Sequence, residues 1–244
     1  MRIGIKKAFE HLHEIEDAFT NVGVPVELGM PHYREHYMRI RDSLPWLANR
    51  INDLGVEVLS IHATAMGLDS EIFPTWGAET AEFAVAVGAR TITIHPNQSR
   101  RKVEDQPSAL RALEELQEDW YGRVTFAVET FEGERRLLTP SEISGFNLPM
   151  TLDVTHFGDR AVVWDLIRNY RDGIHTVHLS GRIGSNKHQP IDDFCRDIVM
   201  HLRKKHWQGN IILEYRDEFA DRMVPDLFAL RAFIGESSSR VINE

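Results

Sequence analysis

The sequence predicts an α/β fold closed into a single (β/α)8, or TIM, barrel. Three observations predict it. Short β-branched runs alternate with longer amphipathic stretches, the pattern of a parallel sheet with helical crossovers. The strand-like runs number eight. The length of 244 residues suits one barrel, which typically takes ~250 residues.

Taken in order, the strand-like runs are 2–6, 25–29, 56–62, 91–95, 124–129, 151–154, 176–179 and 211–215. Between them, segments such as 110–120, 162–170 and 194–207 place apolar residues at i, i+3 and i+4, the helical period. Thr139-Pro140-Ser141-Glu142 reads as a capping box with proline in the first helical turn. A doubly wound open sheet would usually carry a Gly-rich phosphate loop, and neither GxGxxG nor a P-loop occurs. The expected organisation is one barrel over 1–236 and a flexible serine-containing tail at 237–244.

Composition narrows the function classes. Hydrophobic residues at 42% can fill a large core, and the formal net charge of −9 disfavours a dedicated nucleic-acid binder. No apolar run reaches membrane-spanning length. The lone Cys195 belongs to no CxxC pair and fits a reducing compartment. The expectation is a cytoplasmic protein without a membrane partner; a homo-oligomer is left open.

The strands carry a second pattern, because successive side chains point to opposite faces. Thr91, Thr93 and His95 share one face, and Ile92 and Ile94 the other. Thr125, Ala127 and Glu129 share a face, as do Thr151 with Asp153, Thr176 with His178, Ile212 with Glu214, and Ser60 with His62. The bulky aliphatics therefore fall where helices would cover them, and the other rows each end in an ionisable group. In a barrel that second face is the interior, and strand C-termini carry active sites. Several carboxylates converging on one cavity are costly to bury unless a cation neutralises them. Histidine mixed with Asp and Glu suits a divalent metal.

Several segments together resemble a family. Val58-Leu59-Ser60-Ile61-His62-Ala63, Thr93-Ile94-His95-Pro96, Val128-Glu129-Thr130, Leu152-Asp153-Val154-Thr155-His156, Val177-His178-Leu179-Ser180 and Leu213-Glu214 are similar in order and spacing to the xylose-isomerase-like TIM barrels. That superfamily includes sugar isomerases and epimerases and endonuclease IV. The resemblance implies that Glu129, Asp153, His178 and Glu214 hold a divalent ion, with zinc or manganese ahead of cobalt or magnesium. It implies that Glu129 and Glu214 form the acid/base pair of a sugar or sugar-like isomerase or epimerase. It makes His62, His95, His156 and His188 candidates for additional metal or for substrate, and Glu27 and Arg216 candidates for substrate binding.

The substrate class so implied is a small carbohydrate-like molecule. The alternative is a multi-zinc phosphodiesterase of the endonuclease IV kind, acting on abasic DNA. Two departures weigh against it. Ala63-Thr64-Ala65-Met66 lacks the bulky aromatic which that branch inserts into DNA, and Asn186 stands where it has a carboxylate ligand of a third ion. The Arg100-Arg101-Lys102 run is either a solvated loop or an anion clamp.

Overall fold

The computed structural model describes residues 1–20, 22–66, 68, 70–96, 106–131 and 138–235. The Arg100-Arg101-Lys102 run and the expected tail lie outside the described residues.

Eight parallel strands close into a barrel. They are β1 (Arg2–Ala8), β2 (Val26–Gly29), β3 (Val58–His62), β4 (Thr91–Ile94), β5 (Thr125–Glu129), β6 (Met150–Asp153), β7 (Ile174–Leu179) and, after a hairpin, β10 (Asn210–Leu213). Each pairs with the next, and β10 pairs with both β7 and β1. All eight expected strands are present, with ends shifted by one or two residues. Glu214 consequently lies just past the end of β10. The hairpin of β8 (Gly181–Ile183) and β9 (Asn186–Gln189) is antiparallel and stands outside the barrel.

The helices are α1 (Ile15–Phe19), α2 (Arg34–Ile40), α3 (Leu44–Asp53), α4 (Phe73–Ala86), α5 (Gln106–Asp119), α6 (Pro140–Gly145), α7 (Arg160–Tyr170), α8 (Asp193–Lys204) and α9 (Met223–Phe233). Local sequence explains where several begin. Thr139 Oγ1 accepts from Glu142 N at 3.1 Å, and Glu142 returns a carboxylate to Thr139 N at 2.6 Å, completing the capping box of α6. Asp192 caps α8 by accepting from Cys195 N at 3.0 Å. That helix buries Cys195, Ile198, Val199 and Leu202 and closes on basic residues, which suit its C-terminal dipole.

Two register steps shape the barrel mouth. Between Val26 and Glu27, the partner on β3 jumps from Val58 to Ser60. Between Met150 and Thr151, the partner on β7 jumps from Ile174 to Thr176. Each step leaves one extra residue, Leu59 or His175, and brings the next residues into line: Glu27 beside Ser60, and Asp153 beside His178.

Candidate metal centre

The strand ends converge on a buried cluster. Glu129 leaves β5 with 3% exposure, Asp153 leaves β6 with 1%, and His178 on β7 is fully buried. One ligand atom from each of these three lies within 4.8 Å of the others. A second group, His62, His95 and Glu129, shares Glu129 with the first. A third, Asp153, His156 and His188, shares Asp153. Glu27, His62 and His178 form the fourth.

The distances within the cluster are short. His95 Nε2 is 2.6 Å from Glu129 Oε2, and His62 Nε2 is 3.6 Å from the same oxygen. His178 Nδ1 faces both Glu129 Oε1 at 3.4 Å and Glu214 Oε2 at 3.0 Å, while its Nε2 is 2.9 Å from Glu27 Oε1. Proximity is nevertheless not hydrogen bonding. Glu129 Oε2, Asp153 Oδ2, Glu214 Oε2, Glu27 Oε1 and both ring nitrogens of His178 are buried without a well-directed hydrogen-bond partner. Buried polar atoms are rarely left so. The ligand atoms of Glu129, Asp153 and His178 lie within 4.8 Å of one another, and carboxylate with imidazole is a donor set that fits a divalent ion.

Charge within the mouth is balanced by mutual neighbours. Burial alone would raise the Glu129 carboxyl, but His95, His178 and His62 outweigh it and hold it well below the usual carboxylate range. Glu214 is likewise held well below that range, with Lys6 and His178 overcoming burial. Burial would lower His178, yet Glu27, Glu214 and Glu129 raise it well above an ordinary histidine. His62 moves the other way, pushed down by burial and by Lys6. In the metal-free protein the surrounding carboxylates thus favour the protonated form of His178.

The remaining expected residues divide. His156 is oriented by its surroundings: its Nδ1 is 3.0 Å from the Thr130 carbonyl and its ring stacks on Phe131 at 4.1 Å. With that carbonyl accepting from Nδ1, the Nε2 lone pair faces Asp153 Oδ2 at 3.3 Å. His188 reaches the cluster from β9 with φ of 56°, a conformation few side chains adopt, and its Nδ1 is 3.4 Å from Ser180 Oγ. Asn186 is exposed, and Asp153 rather than Asn186 completes the group around His156 and His188. Glu27 is fully buried and accepts from Ser60 Oγ at 2.8 Å. The Arg216 guanidinium is 47% exposed and 3.9 Å from Glu218, while its amide donates to the His188 carbonyl at 3.0 Å.

Further residues shape the site. Lys6 Nζ is 2.6 Å from Glu214 Oε1. Arg182 donates to the carbonyls of Thr155, Phe157 and Gly184 at 3.2, 3.0 and 2.9 Å, joining the hairpin to the loop that carries His156. Gly181 is obligatory at the start of that hairpin, since a Cβ there would lie 2.3 Å from the Pro190 carbonyl oxygen. At the rim, His36 Nδ1 is 2.8 Å from Glu10, a carboxylate remote in sequence. Alternation along β1 puts Lys6 on the same face as Gly4 and so carries a signal for it. Arg182 and Glu10 have no such signal, because no strand pattern links them to their partners.

No family model matches the chain, and no curated protein matches it in sequence. Solved structures do. A 3-keto-D-glucoside 4-epimerase from E. coli aligns with a TM-score of 0.69 at 14% identity, over 95% of this chain and 99% of that one. Endonuclease IV from Thermus thermophilus aligns with a TM-score of 0.64 at 17% identity, over 97% and 100%. The IolI protein with a bound zinc atom aligns with a TM-score of 0.63 at 13% identity, over 98% and 100%. At these identities the likeness is one of fold: the chain is a (β/α)8 barrel.

Proposed function

We propose that the protein is a divalent-metal-dependent isomerase or epimerase of a sugar or sugar-like molecule, transferring a proton next to a carbonyl. One observation carries the reading. Glu129 and Glu214 approach the same imidazole nitrogen of His178, at 3.4 and 3.0 Å, from different strands. Two carboxylates are thus held around one small volume at the mouth, the arrangement that proton removal and return require.

Glu129, Asp153 and His178 would hold the ion, with Glu214 beside them. A bound divalent cation supplies Lewis acidity, polarising a carbonyl and offsetting negative charge beside it. The protein's own groups do the rest. Glu129 and Glu214 form the acid/base pair: one, as a carboxylate, takes the proton, and the other, as a carboxylic acid, gives one back. Glu27, fixed by Ser60, sets the orientation of the His178 ring. His156, locked by Thr130 and Phe131, offers Nε2 to substrate hydroxyls. The epimerase among the structural neighbours supports this substrate class, and the zinc-bound neighbour supports the metal.

The test is solvent exchange. Candidate ketoses incubated in heavy water should gain deuterium at the carbon beside the carbonyl. Glu129→Gln and Glu214→Gln should each slow that exchange by roughly 10²–10⁴-fold, the usual contribution of a positioned acid or base. Exchange at the wild-type rate in both variants would contradict the assignment.

A second reading, a multi-metal phosphodiesterase acting on abasic DNA, is favoured by the two flanking groups. His62, His95 and Glu129 on one side, and Asp153, His156 and His188 on the other, share ligands with the central group. Neighbouring cations suit in-line displacement at phosphorus. Metal content separates the readings: one ion per chain supports the isomerase, and two or three zincs with cleavage of abasic DNA support the nuclease.

A further inference from the structure

The two histidines grouped with Asp153 come from separate elements. His156 sits on the loop after β6 and His188 on β9 of the hairpin, with ring centroids 6.1 Å apart. A cavity of about 240 Å³ lies between loop and hairpin, lined among others by Thr155, Phe157, Ser180, Arg182 and Gly184. Across that gap, hydrogen bonds rather than close packing join the two. Arg182 Nη1 donates to the carbonyls of Thr155 and Phe157, the residues on either side of His156, at 3.2 and 3.0 Å. Its Nε donates to the Gly184 carbonyl in the hairpin turn at 2.9 Å. The returning strand is held from the opposite side. The Arg216 amide donates to the His188 carbonyl at 3.0 Å, and the Tyr215 hydroxyl accepts from Ile191 N at 3.0 Å.

We propose that Arg182 is a positioning residue that sets the span between His156 and His188, so that the two rings and Asp153 act as one ligand set. The proposal rests on the metal-dependent reading above. His188 holds a φ of 56°, a strained conformation that persists only while its surroundings over-determine it. Arg182 supplies part of that constraint, since its planar fork reaches three carbonyls on the two elements at once.

The sign of the effect separates positioning from electrostatics. A guanidinium repels a nearby cation, so its loss by charge alone would tighten metal binding. Loss of a group that positions ligands weakens binding by roughly 10–100-fold. Zinc is the probe, titrated in competition with chromogenic chelators of two strengths. The first equivalent reports Glu129, Asp153 and His178. A second, weaker equivalent that His188→Ala diminishes reports Asp153, His156 and His188. Arg182→Met and Arg182→Lys should each weaken that second equivalent by roughly 10–100-fold and move the first by less than about threefold. Lysine keeps the charge but cannot reproduce the fork. In the Arg182→Met background, His188→Ala should cost less than about threefold, because the ring has already lost its place. Arg160→Met is the control. It breaks the exposed Arg160–Asp192 pair beside the same cavity and should leave both equivalents within about threefold of wild type.

Unchanged or tighter binding of the second equivalent in Arg182→Met, or wild-type binding in Arg182→Lys, would overturn the proposal. So would an undiminished cost of His188→Ala in the Arg182→Met background, or a wild type with no equivalent that His188→Ala diminishes. Equal losses at both equivalents, or the same loss in Arg160→Met, would mark general structural support and overturn it too. In each case the metal reading still stands on the first equivalent. A wild type that binds no zinc at all removes the metal reading, and this proposal with it. Should Arg182→Met fail to fold, Arg182→Lys decides alone on the same outcomes.

Discussion

Neighbouring residues on the same barrel strands are built to opposite specifications. Leu152 and Asp153 are each 1% exposed, and Val177 and His178 are each fully buried. Leu152 and Val177 face the helical layer, where dispersion and loss of contact with water suffice. Asp153 and His178 face the mouth, where Asp153 Oδ2 and both His178 nitrogens lack well-directed partners. Equal burial therefore coexists with complete satisfaction on one face and unpartnered polar atoms on the other. Such concentration of unpaired atoms at the strand C-termini marks a place where stability is conceded to ligand binding.

The largest expected effect exploits that adjacency. Leu152→Ala should destabilise the protein by about 2.7–5 kcal/mol, the range for buried Leu→Ala changes, and leave zinc affinity unchanged. Asp153→Asn should do the reverse. Asp153 Oδ1 accepts from Thr155 N at 2.7 Å and Thr155 Oγ1 at 2.9 Å, contacts that an amide oxygen preserves. Metal-free stability should therefore hold, while zinc affinity falls by roughly 100-fold or more, above the usual outer-shell loss. Denaturant melts and chelator competition on both variants check the pair. Parallel behaviour of the two would erase the distinction between wall and mouth.

Protonation offers a second test. His178 is raised well above its ordinary value of 6.5 in the metal-free fold. Its contribution to metal-free stability is thus fully present below that value and is lost as pH rises through the folded-state value. The ion needs the neutral imidazole, so binding must release that proton. Zinc affinity should climb by up to about tenfold per pH unit through the neutral range, as expected for one displaced proton. A flat profile would contradict the placing of His178 against the ion. At the acid end, the lowered carboxyls of Glu27, Glu129 and Glu214 act with the opposite sign: their stabilisation is present above the ordinary carboxylate value and is lost as pH falls through the folded-state values.

The smallest effect is a control on the barrel's exterior. Thr139→Ala removes the side-chain half of the α6 capping box and should cost about 1 kcal/mol in a denaturant melt. Zinc affinity should not change, since the cap lies on a helix whose residues contribute no ligand to the cluster.

Much of the architecture was legible in the sequence because its signals are periodic. Alternation along β4 to β7 assigned His95, Glu129, Asp153 and His178 to one face, and a closed barrel leaves that face only one cavity to share. The hairpin of β8 and β9 was not legible. Its strands are three and four residues long and largely polar, so no apolar period exists to read, and Arg182, which fastens it, went unseen. Lys6 shows its face by alternation but not its partner. A lysine is no metal ligand, and its significance depends on Glu214, more than 200 residues away and adjacent only through β1–β10 pairing. Glu27 is expected at the substrate, and its buried carboxylate meets Ser60 and the His178 side. A register step that no local sequence feature announces creates that contact.

The central claim is that the orphaned atoms of the mouth belong to a cation. Elemental analysis of dialysed wild type and Glu129→Gln, prepared side by side, tests it most directly. Glu129 serves both the central group and the His62–His95 group, so its loss removes a ligand from each. The account predicts about one tightly held divalent ion per wild-type chain, in keeping with a single closed ligand set, and its loss in Glu129→Gln. An undiminished metal content in the variant, or a wild-type protein that holds no divalent ion when supplied with zinc or manganese, would contradict it.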